Sequence, residues 1–311
     1  MVFEGSEKKL EIVFNAQACT LREKPLAFWQ QVVAKAEAEI LSVTSNEHQD
    51  AYILSESSLF VWDHKLVILT CGLSTLIDAA CFVIEHFGKQ AIDFVCYQRK
   101  NEYFANEQAS SFVQDATRLN ALIPGQARRI GHLDSHHHFL FTSDSHFRAE
   151  KADVSCELMM YHITGNVADY LRAEGQLAST IRKQLQLDDL FTGFSIDEHL
   201  FSPLGYSVNG IRGNEYFTIH ITPQEQSSYV SLETNVNPQH HGVDFVGILL
   251  DLLQPTSWDI IGFNCQIPRD HFPQHHHLGE CAFAIAQGYK ININHFQQQH
   301  SEKMAPTILP C

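Results

Sequence analysis

The order of apolar segments along this chain predicts an α+β fold with largely antiparallel sheets. Three observations carry that expectation. Short strand-like runs come in pairs joined by brief turns, helical runs are interspersed among them, and 311 residues at 44% hydrophobic content suffice for a large core. Such a core can be one big domain or two merged halves.

In order, residues 8–14 (Lys-Lys-Leu-Glu-Ile-Val-Phe) predict a strand. Pro25 sits where a helix start tolerates proline and opens an amphipathic helix over 26–40. Residues 51–54 and 59–62 predict strands, 63–65 a turn, and 66–70 the returning strand. A helix over 74–87 is stopped by Gly88. Further helices are predicted over 107–122, 156–162, 167–173, 178–187 and 243–253. Strands are predicted over 92–97, 138–142, 206–208, 216–222, 229–233, 258–264 and 282–292. No internal sequence repeat is visible. The polar, Pro-containing stretch 297–311 is expected to be a mobile tail.

The formal net charge of −15 argues against nucleic acid or an anionic membrane as partner and suits a cationic ligand. The sequence shows no bilayer-spanning apolar run and no signal peptide, and its eight cysteines lack CxxC spacing. A reduced cytoplasm is therefore the expected setting, with neither a zinc knuckle nor a disulfide framework.

The most informative stretch is Leu54-Ser55-Glu56-Ser57-Ser58, because of its company. Phe3-Glu4-Gly5-Ser6-Glu7-Lys8 precedes it and Thr70-Cys71-Gly72 follows. Much later come Phe201-Ser202-Pro203-Leu204-Gly205-Tyr206-Ser207-Val208-Asn209-Gly210 and Thr218-Ile219-His220-Ile221-Thr222-Pro223. Taken singly, each has an ordinary reading. A serine pair is a turn or cap, Cys71 a small buried hydrophobe, His220 a hydrogen-bonded strand residue, and Phe3 and Phe201 core. In this order and at these separations the blocks closely resemble the eukaryotic-type S-adenosylmethionine decarboxylase proenzyme family.

That resemblance implies a four-layer αββα sandwich of two antiparallel sheets with helices on the outer faces. It also implies self-cleavage of one domain, 1–311, into a short chain, 1–56, and a long chain, 57–311. Loss of CO2 from an amino acid leaves a carbanion, and most enzymes borrow pyridoxal phosphate as the electron sink. Here the resemblance implies a pyruvoyl group made from Ser57, with neither pyridoxal phosphate nor metal. The Ser57 hydroxyl attacks the Glu56 carbonyl to give an ester, and loss of the Ser57 α-proton eliminates it to dehydroalanine, which hydrolyses to the ketone. That ketone forms an imine (a Schiff base) with the substrate amine.

By the same resemblance, His220 removes the α-proton during processing and Ser207 steadies the cyclic intermediate. Cys71 returns a proton to the substrate carbon, and a thiol suits that task. Glu4 and Glu7 are the essential carboxylates near the substrate, with Glu56 also at that site. Phe3 and Phe201 sandwich the adenine, a stack that favours a cationic ligand. Glu11, Asp153, Glu157 and Glu233 match a buried acidic site that holds putrescine in animal-type members. Leu69 stands where the family member compared carries lysine, so either a more acidic site with a diamine as activator or a reorganised site is expected.

The pattern breaks at Gln224. Typical members carry there, four residues after the processing histidine, a glutamate that binds the ribose hydroxyls. Glutamine still accepts through its carbonyl oxygen but lacks the charged acceptor. Histidines cluster at His136-His137-His138, His240-His241 and His275-His276-His277. Adjacent residues of a strand point to opposite faces, so such runs are poor single-metal cages, and only adventitious metal binding is expected of them. The expected activity is decarboxylation of S-adenosylmethionine to the aminopropyl donor of spermidine and spermine synthesis. The alternatives are a pyruvoyl enzyme acting on ornithine or arginine, and a non-catalytic regulatory paralogue. Retention of Glu56, Ser57, Ser207 and His220 weighs against the second. A homodimer of short-plus-long chain pairs and a monomeric pair are both compatible with the sequence.

Overall fold

In the computed structural model, residues 7–17, 20–100, 102–133, 136–266 and 272–299 are described. The first half runs β1 (Lys8–Phe14), α1 (Leu26–Lys35), β2 (Ile40–Ser45), β3 (Gln49–Leu54), β4 (Ser57–Trp62) and β5 (Lys65–Thr70). It continues with α2 (Leu76–Phe87), β6 (Ile92–Arg99), α3 (Phe112–Leu122), β7 (Gly125–Gly131) and β8 (His137–Ser143). The second half runs β9 (Ser155–Tyr161), α4 (Gly165–Arg172), α5 (Ala178–Gln184), α6 (Leu187–Leu190), β10 (Ser195–Leu200), β11 (Tyr206–Arg212) and β12 (Glu215–Thr222). It ends with β13 (Tyr229–Thr234), α7 (Phe245–Leu253), β14 (Ser257–Phe263), β15 (His275–Ala284) and β16 (Lys290–Gln298).

The strands form two eight-stranded antiparallel sheets, ordered β2-β3-β4-β5-β1-β6-β8-β7 and β10-β11-β12-β13-β9-β14-β16-β15. Adding eight to each number of the first order gives the second. The fold is thus a topological duplication, although no sequence repeat announces it.

Alternation along the strands explains the layers. In β1, Leu10, Ile12 and Phe14 join the core beneath α1, α2 and α3, while Lys9 and Glu11 lie on the opposite face. In β12, Phe217, Ile219 and Ile221 join the core beneath α4–α7, which leaves Thr218 and His220 for the other face. Between the sheets lie two smaller apolar clusters, one around Phe94, Tyr161 and Phe263, the other around Phe60, Leu69 and Tyr216. Buried polar side chains fill the rest of that interlayer. The result is the expected αββα sandwich.

Local differences from the sequence expectation have physical causes. The helix expected to reach residue 40 ends at Lys35, and Ile40–Ser45 forms an edge strand whose residues alternate between half-buried and exposed. Residues 156–162 read as helix because Glu, Leu and Met are good helix formers. They form β9, buried on both faces at the centre of its sheet, where tertiary packing overrides propensity. The single strand expected over 282–292 is a hairpin, β15 and β16, with Gly288 at positive φ in its turn. α3 begins at Phe112 rather than 107, where Ser111 and Gln114 form a reciprocal cap. β7 and β10 were not anticipated. β16 reaches Gln298, two residues into the expected tail, and residues 300–311 lie outside the described residues.

Among the described residues, Cys71, Cys81, Cys96, Cys156, Cys265 and Cys281 form no disulfide. No helix among the described residues is long and apolar enough to cross a membrane.

Candidate active site

β3 and β4 are joined by Ser55 and Glu56 alone, with Leu54 paired to Ser57. Two-residue hairpins ordinarily place positive φ inside the turn, so that its twist matches the strands. Here neither turn residue does; the positive value, 144°, falls on Ser57. A non-glycine residue held there stores about 1–3 kcal/mol, which relaxes if the adjoining bond is cut. Ser57 is fully buried and its Oγ has no hydrogen-bond partner. Such an orphaned hydroxyl, next to the carbonyl it would attack, fits the serine precursor of a pyruvoyl group.

That carbonyl is held from the other side. β5 pairs Thr70 with Ser57, which brings the following residue over the turn. The Cys71 N–H donates to Glu56 O at 2.9 Å, and the Cys71 thiol donates to the same oxygen at 3.1 Å. Two donors on one carbonyl oxygen form the arrangement that stabilises developing negative charge.

The second sheet contributes the base. β11 and β12 pair Ser207 with His220, both facing the interlayer. Ser207 Oγ lies 2.6 Å from His220 Nδ1, and Cys71 Sγ lies 3.3 Å from His220 Nε2. Burial pushes the His220 imidazole down to about 4, so it is neutral at physiological pH. With its proton on Nδ1, donated to Ser207, the Nε2 lone pair is a free base directed at Cys71. Ser58 donates to Asn209 Oδ1 at 2.7 Å and lies 3.1 Å from Thr218 Oγ1, tying β4 to β11 and β12.

Ser57, Glu56, Cys71, Ser207 and His220 thus lie together at one end of the interlayer. Phe201 is half-buried, its ring centroid 6.2 Å from that of His220. Gly205 accommodates this ring: a Cβ there would lie 3.3 Å from Phe201 Cβ, at a φ of +136°. Gln224 lies two residues beyond β12, in a turn where its backbone carbonyl and Oε1 both face Ser227. Phe3 and Glu4 lie outside the described residues.

Glu7 is buried and accepts from Ser231 Oγ at 2.7 Å, and burial raises its carboxyl to about 7 against the opposing pull of that bond and Lys100. Glu56 is likewise pushed to about 7, by burial, with Lys8 opposing. Both carboxyls titrate near neutrality.

The second acidic cluster comes together differently from the expectation. Glu157 and Glu233 face each other across β9 and β13, and Lys9 stands between them. Its Nζ lies 2.9 Å from Glu157 Oε1, 2.5 Å from Glu233 Oε1 and 3.1 Å from Ser155 Oγ. Lys100 pairs with the other Glu157 oxygen, and Tyr216 donates to Glu233 at 2.8 Å. Glu11 pairs instead with Lys65 at 3.0 Å, and the Asp153 carboxylate accepts from the Glu150 N–H.

Burial would raise the Glu157 carboxyl, but Lys100 and Lys9 hold it well below the usual range. Glu233 stays above that range because burial outweighs Lys9. The cavity beside Lys9, Glu11 and Asp153 is about 10 Å³, room for about one water. Of the two outcomes expected from Leu69, the described residues show the reorganised site, in which Lys9 and Lys100 supply the countercharge. Lys9 escaped notice, although a lysine beside Leu10 and Ile12 must lie on the opposite, interlayer face of a strand covered on both sides.

Comparison with known proteins agrees with this geometry. A family profile described as adenosylmethionine decarboxylase matches residues 1–305. The S-adenosylmethionine decarboxylase proenzyme of Xenopus laevis is 34% identical, over 82% of this chain and 81% of its own length. That of Dictyostelium discoideum is 31% identical over 95% and 86%. Among solved structures, the Trypanosoma brucei AdoMetDC-delta26 monomer aligns with 78% of this chain and 99% of its own at a TM-score of 0.60. At 22% identity, that likeness is one of fold.

Proposed function

The chain belongs to the adenosylmethionine decarboxylase family, and we propose that it is a proenzyme that cuts itself between Glu56 and Ser57 and then decarboxylates S-adenosylmethionine. The observation that carries this reading is the Glu56 carbonyl, gripped by the Cys71 N–H and thiol beside the unpartnered Ser57 hydroxyl.

Processing follows from these contacts. The Ser57 Oγ adds to the Glu56 carbonyl carbon while the Cys71 donors hold the developing oxyanion. Collapse breaks the peptide C–N bond as the hydroxyl proton passes to the departing nitrogen, leaving an ester with the amine of Ser57 free. His220, neutral through burial, takes the Ser57 α-proton. The C–O bond then breaks, so that Glu56 leaves as a carboxylate and dehydroalanine remains. Water hydrolyses this to a ketone with loss of ammonia. The products are a short chain, 1–56, and a long chain, 57–311. They stay together as one domain, because β1, β2 and β3 belong to the same sheet as β4 and β5.

The pyruvoyl group supplies the electron sink that decarboxylation of an α-amino acid requires. The chain's residues do the rest. Phe201 offers a face to the adenine, and Glu7 and Glu56 place negative charge for the sulfonium. Cys71, in contact with His220, delivers the proton to the substrate carbon. Gln224 accepts from the ribose hydroxyls as a neutral group. That weaker contact is what would favour ornithine or arginine as the alternative substrate. Lys9 takes the place of a diamine's ammonium between Glu157 and Glu233, so putrescine is not required for processing or turnover.

Intact-mass analysis under denaturing conditions tests the reading, with and without borohydride in the presence of S-adenosylmethionine. Two fragments split before Ser57 are expected, with a substrate-derived adduct on the larger, and a single uncut chain for Ser57→Ala. Cleavage without an adduct would favour another amino acid as substrate. An uncut wild-type chain would refute the proposal.

A further inference from the structure

A cavity of about 550 Å³ opens at the other end of the interlayer from Ser57, where β7 and β8 of one sheet face β14, β15 and β16 of the other. Three side chains meet on its wall: His136 just before β8, Asp259 on β14 and His295 on β16. Asp259 and His295 are direct partners in the β14–β16 ladder, so the backbone register fixes one against the other. His136 Nδ1 lies 3.2 Å from Asp259 Oδ2, and His295 Nδ1 lies 2.5 Å from Asp259 Oδ1. The two imidazole centroids are 4.3 Å apart, and the three donor atoms all lie within 4.8 Å of one another. Tyr161 donates its hydroxyl to Asp259 Oδ2 at 3.0 Å.

The geometry points to a divalent transition-metal site formed by His136, Asp259 and His295. With metal–ligand distances of about 2.1 Å, neighbouring donors in a tetrahedral or octahedral shell are about 3.0–3.4 Å apart. The His136–Asp259 separation already falls there. The other two separations are reached by side-chain shifts of about 1 Å or less, at histidines that are 26% and 20% exposed. Two imidazoles and one carboxylate suit zinc, cobalt, nickel or iron(II) rather than the oxygen-seeking magnesium or calcium. Three protein ligands leave the remaining positions facing the cavity, the arrangement of an open metal site. Tyr161 orients the carboxylate from behind, as outer-shell donors do. Lys100 also lines the cavity, but its charge is engaged by Glu157. The proposal does not depend on the decarboxylase reading, because none of these residues belongs to that site.

The test uses the full untagged chain, stripped with a chelator and titrated with Co2+ followed by visible absorption, then with Zn2+ as competitor. One tight equivalent is expected, displaced by zinc and accompanied by a rise in melting temperature. His295→Gln and His136→Gln should each weaken binding by at least about 100-fold, and Tyr161→Phe by about 10-fold. His276→Gln, at the exposed middle position of the β15 triplet, should change nothing. His136 is partly exposed, so its variant separates loss of a ligand from loss of fold, which the melting curve of the metal-free protein checks. No tight equivalent, binding that survives both His136→Gln and His295→Gln, or binding lost with His276→Gln would overturn the assignment.

Discussion

Replacing Lys9 with alanine removes the ammonium that stands between Glu157 and Glu233. All three side chains are buried, at 2%, 4% and 2% exposure, so water cannot take its place. Removing one partner of a buried ion pair costs about 3–5 kcal/mol, because the other charge is left uncompensated. At about 2 °C per kcal/mol for a chain of this length, the melting temperature should fall by about 6–10 °C at pH 8. The sign of the pH dependence follows from Glu233, whose carboxyl already sits above its ordinary range and rises further without Lys9. A raised carboxyl contributes stability below its unfolded value and loses it as pH climbs through the folded one. The deficit of the variant should therefore shrink as pH drops toward 5. Propylammonium matches the atoms deleted beyond Cβ and should restore much of the loss at millimolar concentration, with putrescine as a longer probe. Melting curves at pH 5 and 8, with and without amine, read all of this. A variant as stable as wild type at pH 8 would refute the reasoning, as would putrescine stabilising the wild type as much as the variant.

Two further expectations concern the reaction site. His220→Ala should stall cleavage at the ester, while in the wild type the rate of cleavage should hold down to about pH 5. The base form persists above its folded value of about 4, so an inflection near 6.5 in the rate of fragment appearance would contradict the burial argument. Gln224→Glu exchanges a neutral acceptor for a charged one, worth about 1 kcal/mol more, and should raise kcat/KM for S-adenosylmethionine about 5-fold. No gain in steady-state assays would remove the ribose contact from the account.

What could be read from the sequence, and what could not, follows one physical boundary. β1, β5, β6 and β12 are legible because their alternating or continuous apolar runs are bounded by turns. Ser57, Cys71, Ser207 and His220 are legible only as a set, since each alone has an ordinary structural role. β9 is not legible, because Cys-Glu-Leu-Met-Met-Tyr suits a helix until two layers cover it. Lys9 is hidden for a related reason: its function depends on which carboxylates the second sheet brings opposite, 148 and 224 residues away. The same holds for His136, Asp259 and His295. Strand alternation argues against the histidine run as a cage by itself. His136 of it faces Asp259, and a second imidazole arrives through the pairing of β14 with β16.

The interlayer also couples ligand charge to protonation. Glu7 and Glu56 both titrate near 7, raised from 4.5 because burial disfavours their charged forms. A sulfonium bound beside them would favour the carboxylates and draw their pKa values down. Binding of a cationic nucleoside at pH 7 should then release up to about one proton, half from each carboxyl, and its affinity should rise between pH 6 and 8. Two nucleosides isolate the charge: 5′-dimethylsulfonio-5′-deoxyadenosine, and the neutral methylthioadenosine of nearly the same shape. Calorimetry in buffers of different ionisation enthalpy counts the protons released by each. The sulfonium should release more than the thioether, and Glu7→Gln should remove about half of the difference. Equal release by both would mean that these carboxyls do not sense the ligand's charge, and the burial of Glu7 against Ser231 would then serve packing rather than recognition.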